Sequence, residues 1–339
     1  MLKKNSLSCT AGPAGPCTAG VPPARPVCTA GVPPARRAQR DSAVPLSLRE
    51  RADGRTRPRG EGKNVAIKLN LQILLIALAS IAFPLRAEDP APPKSHKLDI
   101  RPVDEKDWKA DIENVHAVLL SAASELWKYF PERTLPPIEV SPRGGPITLF
   151  QRGPNGEIRV KLDTGGYLWA QYSFQFAHEM CHILCDFKPH ENPNHWFEES
   201  LCEAASVFAL RHMAETWKTK PPYGNWKDYA KHLREYADDR TKLAQVPDGK
   251  TFLDWFQENE PDLRLKSTDR ARNNIVAGVL VPLLEAEPKM WEAVTYLNTE
   301  KLNKSYSFKQ YLEAWRRNSQ EKHRAFIDKI AKQFGLELK

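Results

Sequence analysis

The chain has 339 residues, which on length alone makes two domains the soft expectation, and a formal net charge of +8. That charge is unevenly placed. Residues 1–87 carry 14 Lys and Arg against 4 Asp and Glu, and the remainder carries 36 against 38. The basic excess belongs to the leader, so composition gives the main body no case for nucleic-acid binding.

Residues 1–62 read as no folded domain. Cys-Thr-Ala-Gly recurs at Cys9, Cys17 and Cys28, and Val-Pro-Pro-Ala-Arg follows twice. Such a Pro-, Gly-, Ala- and Arg-rich stretch buries too little apolar surface to offset its chain entropy, and it is expected to be disordered or a spurious extension of the start. Residues 63–87 read as a secretory signal peptide. Lys63 and Lys68 give the positive end, Leu69 to Phe83 the apolar region, and Leu85-Arg86-Ala87 a cleavage site. The apolar run is short for a membrane span, so no stable membrane insertion is expected after cleavage. The product would be secreted or periplasmic.

Residues 88–102 are expected to form a linker, Pro-rich over 88–97. From Val103 to Tyr129, Trp108, Ile112, Val115, Val118, Leu119, Ala122 and Leu126 recur at helical spacing. Ile138–Val140, Ile147–Phe150 and Ile158–Leu162 are short β-like runs separated by Gly144-Gly145-Pro146 and Pro154-Asn155-Gly156. The last run alternates apolar with polar, which predicts one wet face. Tyr167 to Asp186 predicts a helix buried on most sides. A second helix starts at Asn194 and runs to Met213, with 218–226 a loop. Successive helices are expected over 226–243, 251–260, 268–287, 289–298 and 307–337, with the apolar stretch Asn274 to Leu284 interrupted at Pro282.

The chemistry concentrates in Phe176-Ala-His-Glu-Met-Cys-His-Ile-Leu184. On a helix, His178 and His182 project from one face one turn apart and can share a metal ion. Glu179 stands beside them as a candidate general base. A carboxylate from the helix after it could complete a three-residue set and leave one position open, as catalytic zinc requires. Cys181, Cys185 and Cys202 all lie on these two helices. Cys202 bridged to either Cys181 or Cys185 and three buried thiols are equally open readings.

This constellation resembles the gluzincin metallopeptidases, the thermolysin-like group, over His178 to Glu203. Their third ligand is a Glu within a W-x-x-E pattern on the next helix, which Trp196 to Glu199 reproduces. The resemblance implies Glu199 as third ligand, with Glu198 the runner-up, and Glu203 one turn on as a carboxylate that orients a liganding His. A metzincin pattern would need Gly and His where Cys185 and Lys188 stand. His190 and His195 are expected to serve surface or capping roles. The resemblance further implies an α+β fold: a small sheet packed on the H-E-x-x-H helix, followed by a mostly helical C-terminal region. A catalytic domain over 103–215 and a helical region over 216–339 are the expected divisions. An edge strand that pairs with extended peptide substrate is also implied, with Arg159–Leu162 the candidate.

The expected activity is that of an exported Zn2+-dependent metallopeptidase, which hydrolyses peptide bonds of a peptide or protein substrate through a zinc-activated water. The aminopeptidase motif G-x-M-E-N is absent, which favours an endopeptidase. Candidates for stabilising the developing oxyanion are Tyr223, Tyr236, His212, His232 and Tyr296, and Arg270 and Arg272 are candidates to meet a substrate carboxylate. The alternative is a catalytically silent, zinc-stabilised exported binding protein.

Overall fold

The structure, a computed structural model, describes residues 96–339 except 104, 187, 190 and 302. The readings of 1–62 and 63–87 lie outside the described residues, as does His190. All described residues fall within one compact unit. Its architecture is α+β, a four-stranded mixed sheet against a largely helical body. Among the described residues, no helix is long and apolar enough to cross a membrane.

The sheet comprises β1 (Ile100–Pro102), β2 (Ile138–Ser141), β3 (Ile147–Leu149) and β4 (Ile158–Lys161), in the order β1-β2-β4-β3. β1, β2 and β4 run parallel, and β3 closes the edge antiparallel to β4. Ile138, Val140, Ile158 and Val160 point into the core while their neighbours are only half-buried, so the alternation in the sequence marks one dry and one wetter face. That alternation does not make β4 an edge. β4 lies between β2 and β3, so its backbone pairs on both sides, and the edge beside the cleft is β3.

β1 also corrects the linker. Leu98 and Ile100 are core residues, so the folded body begins inside 88–102. A three-residue strand ending in proline, next to a proline-rich segment, carries little local signal. The turn into β3 passes so close to β4 that a Cβ on Gly145 would lie 2.0 Å from the Lys161 carbonyl oxygen. Glycine there lets the edge strand come back beside its partner.

The helix expected from 103 to 129 is two pieces, α1 (Glu105–Trp108) and α2 (Ile112–Trp127), separated where Lys109 takes φ 54°. Next come α3 (Trp169–Leu184) and α4 (His195–Thr219). α4 passes unbroken through the expected division at 215–216, so that boundary does not separate two bodies. A 3-10 segment, Gly224–Tyr229, leads into α5 (Ala230–Lys242). α6 (Phe252–Leu265) runs through Pro261, and α7 (Arg270–Ala286) runs through Pro282. Pro288–Tyr296 is 3-10, and the last expected helix is a pair, α8 (Phe308–Asn318) and α9 (Glu321–Gln333).

α3 packs against α4, α2 and β3, and its Phe176, Ala177, Met180, Cys181 and Leu184 are fully excluded from water. The Arg133 guanidinium donates to the carbonyl oxygens of Ile183 and Leu184 and to Thr295. It thereby satisfies carbonyls that the end of α3 leaves without intrahelical partners, and it ties that end to the C-terminal helices.

Candidate metal centre

His178 and His182 leave α3 on the same side, with ring centroids 5.1 Å apart. α4 crosses them and presents Glu199 to both. The Glu199 carboxylate is 3.3 Å from His178 Nε2 and, through its other oxygen, 3.7 Å from His182 Nε2. Cys202, one turn further along α4, brings its sulfur into the same neighbourhood. One nitrogen of each imidazole and the Cys202 sulfur all lie within 4.8 Å of one another. His178, His182 and Cys202 therefore form a group that could hold a metal ion.

Glu198 and Glu199 point different ways because adjacent helical positions diverge by about 100°. Glu198, the runner-up ligand in the sequence, takes a different place. It is 1% exposed and its Oε1 lies 2.8 Å from His182 Nδ1. Its Oε2 accepts from Asn298 Nδ2 at 2.8 Å, and Asn298 also donates to the Cys185 carbonyl oxygen. The Tyr311 hydroxyl donates to Asn298 Oδ1. A buried carboxylate on Nδ1 keeps that nitrogen protonated and turns Nε2 toward Glu199.

His178 has a looser partner. Glu203 Oε1 is 4.0 Å from His178 Nδ1, beyond hydrogen-bonding distance, and it also lies 3.6 Å from Arg270 Nε. The expectation that Glu203 orients a histidine is met only as a nearby charge; the close orienting carboxylate is Glu198. His195 sits at the margin, with Nδ1 3.9 Å from Glu198 Oε2.

Charge follows this geometry. Burial works against protonating His182, but the hydrogen bond and charge of Glu198 outweigh it and push its pKa up to about 10 in the metal-free protein. Burial likewise opposes a charge on His178, and Glu199, Glu203 and Glu179 together raise its pKa. Burial opposes ionisation of Glu198 and Glu199, yet the histidines hold both below the usual carboxylate range. A metal entering here must displace imidazole protons.

Glu179 is buried beside the histidines, and the Thr148 hydroxyl of β3 donates to its Oε2 at 2.8 Å. These groups floor a cleft of about 520 Å³. β3 contributes Ile147 and Thr148 to one wall, and α5 and α7 supply Tyr236, Arg240, Arg270 and Asn273 to the other. Of the oxyanion candidates, Tyr236 lines the cleft, and its hydroxyl accepts from Arg240. Tyr223 and Tyr296 line other depressions, His212 stacks on Phe208, and His232 lies beside Glu235. Arg270 lines the cleft, whereas Arg272 pairs with Asp262 and Asp269.

Cys181, Cys185 and Cys202 are buried free thiols. Burial pushes each well above the ordinary thiol range, and of the three it is Cys202 whose sulfur joins the two imidazoles. Thr148, Asn298, Tyr311 and Arg133 escaped the sequence reading because each meets the site from far along the chain. No protein-family model, no curated protein and no solved structure matches this chain.

Proposed function

We propose that this chain is an exported zinc metallopeptidase of gluzincin type, an endopeptidase acting on peptide or protein substrates. The observation that carries the reading is the Glu199 carboxylate set against both imidazoles beside Glu179 on the floor of an open cleft. Metal–ligand distances of about 2.0–2.2 Å in a tetrahedron require ligand atoms about 3.3 Å apart. Glu199 approaches that edge through a different oxygen on each side, 3.3 Å from His178 Nε2 and 3.7 Å from His182 Nε2, so a shift of the carboxylate would bring one oxygen to both. Cys202 is the rival third donor, but it is fully buried, whereas Glu199 lines the cleft beside both imidazoles. His178, His182 and Glu199 would therefore hold zinc. Bound there, zinc supplies Lewis acidity that makes a water acidic near neutral pH and polarises a carbonyl.

The rest is the work of the chain's own residues. Thr148 holds Glu179 Oε2, leaving Oε1 to take a proton from the attacking water and return it to the leaving amine. Glu198 keeps His182 in the tautomer that offers Nε2. β3 has its one strand neighbour in β4, and Ile147 and Thr148 line the cleft, so an extended peptide can lie along that side by main-chain pairing. Export rests on the signal-peptide pattern of residues 63–87.

The test is metal content of the purified full chain beside a His178→Ala, His182→Ala double variant, followed by cleavage of a peptide library with Glu179→Gln as control. About one zinc per chain, lost in the double variant, with library cleavage that Glu179→Gln abolishes, is the expected outcome. Bound zinc with no cleavage would favour the silent binding protein instead.

A further inference from the structure

Two guanidinium groups line the cleft, and they differ in how their charge is met. Arg270, from the start of α7, lies 3.6 Å from the Glu203 carboxylate. Arg240, from the end of α5, has no carboxylate partner among the described residues. It is held by aromatic rings instead: its guanidinium carbon lies 4.6 Å from the Phe174 ring centroid and 5.2 Å from that of Tyr236. One of its N–H groups donates to the Tyr236 hydroxyl at 2.9 Å. Phe174 belongs to the same helix as His178, one turn before it, so the ring that carries Arg240 is rigidly tied to the candidate metal ligands.

Stacking fixes the plane of the guanidinium and lowers the conformational entropy lost when it binds a partner. The contact with Tyr236 uses one donor direction, and a planar guanidinium presents several more. A pre-oriented arginine on a cleft wall, with no internal carboxylate to neutralise it, is suited to bidentate capture of a carboxylate brought by the ligand. Glu203 attends Arg270, so the two cleft arginines differ in having a carboxylate within reach.

We infer that Arg240 is a specificity residue of the cleft and binds a carboxylate of the substrate. This rests on the reading of the cleft as a peptide-binding site. The carboxylate belongs either to the C-terminus of a peptide or to an Asp or Glu side chain. The first source would make the enzyme act near C-termini, and the second would direct it to acidic positions within a chain.

The test measures binding separately from turnover. The full chain carrying Glu179→Gln, loaded with zinc, is titrated calorimetrically with N-acetyl-Ala-Ala-Phe-Ala-Ala as free acid and as amide. The amide is also compared with Glu or Gln placed at each position in turn. The ratio within each matched pair carries the result, and a circular-dichroism melt checks that each variant is folded. The acid form, or one Glu peptide, should bind at least about tenfold tighter than its neutral partner. Arg240→Gln should collapse that ratio to near unity, and Arg240→Lys should restore part of it. Which pair discriminates identifies the source of the carboxylate. Equal affinities within every pair, a ratio that survives Arg240→Gln, or no binding by any peptide would overturn the inference. Charge discrimination here, with no cleavage of any of these peptides by the zinc-loaded chain that keeps Glu179, would leave Arg240's role standing and defeat the peptidase reading alone.

Discussion

The two histidines of the site are built on opposite principles. His182 is backed by a chain of buried partners, Glu198, Asn298 and Tyr311, reaching from α3 through α4 to α8, with the imidazole to carboxylate contact at 2.8 Å. His178 faces the cleft, where Glu203 stands 4.0 Å away and lies nearer Arg270, itself 62% exposed. One side is set before any ligand arrives; the other can adjust when one does. Ligands held by a closed hydrogen-bond chain lose little freedom on binding a metal, and a buried carboxylate beyond hydrogen-bonding distance and shared with an arginine gives weaker guidance.

The sharpest break in this arrangement is at Glu179, which belongs to neither half. Glu179→Gln keeps the shape of the site but removes the proton acceptor. Peptide hydrolysis should fall about a hundredfold or more while zinc stays bound, read by initial rates beside metal analysis. Unchanged turnover would refute the assigned base.

Comparing the two orienting carboxylates tests the asymmetry itself. Glu198→Ala strips His182 and Asn298 of their shared partner, and zinc affinity should drop about 10–100-fold in competition with a chelator. Loss of a buried charge partner should also cost about 3 kcal/mol in denaturant unfolding. Glu203→Gln should change zinc affinity by less than about threefold, because at 4.0 Å from His178 it lies beyond hydrogen-bonding distance. Equal losses from the two variants would show that the sides are alike.

Proton linkage gives a further check on the His182–Glu198 pairing. In the metal-free protein the folded pKa of His182, about 10, lies above its ordinary value of 6.5. The folded state therefore binds more protons than the unfolded state between those values. That stabilisation is complete below pH 6.5 and is lost as pH rises through about 10. Melting temperature of the chelator-treated protein should fall across this range, and Glu198→Gln should flatten the slope. A stability that rises across the same window would contradict the His182–Glu198 pairing.

A smaller loss of turnover than at Glu179 is expected at the β3 side. Thr148→Val removes the hydroxyl that holds Glu179 and should lower turnover about tenfold with zinc content intact, the equivalent of one charge-assisted hydrogen bond.

Much of the site could be read from residue order because it depends on helical spacing. Two histidines four apart on an apolar helix must share a face, and a Glu-Glu pair on the following helix offers carboxylates in two directions. Which glutamate takes which place depends on how α4 is rotated against α3, and no local pattern encodes that rotation. Asn298 and Tyr311 reach Glu198 from a 3-10 segment's end and a distant helix, so their roles arise only from packing. The sheet shows the same limit. The alternation in Ile158–Lys161 gave its faces correctly, but strand order is set by where the chain turns after β2, and that put β3 rather than β4 at the edge. Lys109 broke an otherwise regular helical pattern through a backbone angle that apolar spacing does not report.

The central claim is that His178, His182 and Glu199 hold zinc, and X-ray absorption at the zinc edge of the reconstituted full chain tests it most directly. The expected spectrum has bound zinc surrounded by nitrogen and oxygen alone, at about 2.0–2.2 Å. A sulfur shell at about 2.3 Å would place Cys202 in the site in place of Glu199, and a spectrum of free hydrated zinc would remove the metal centre altogether.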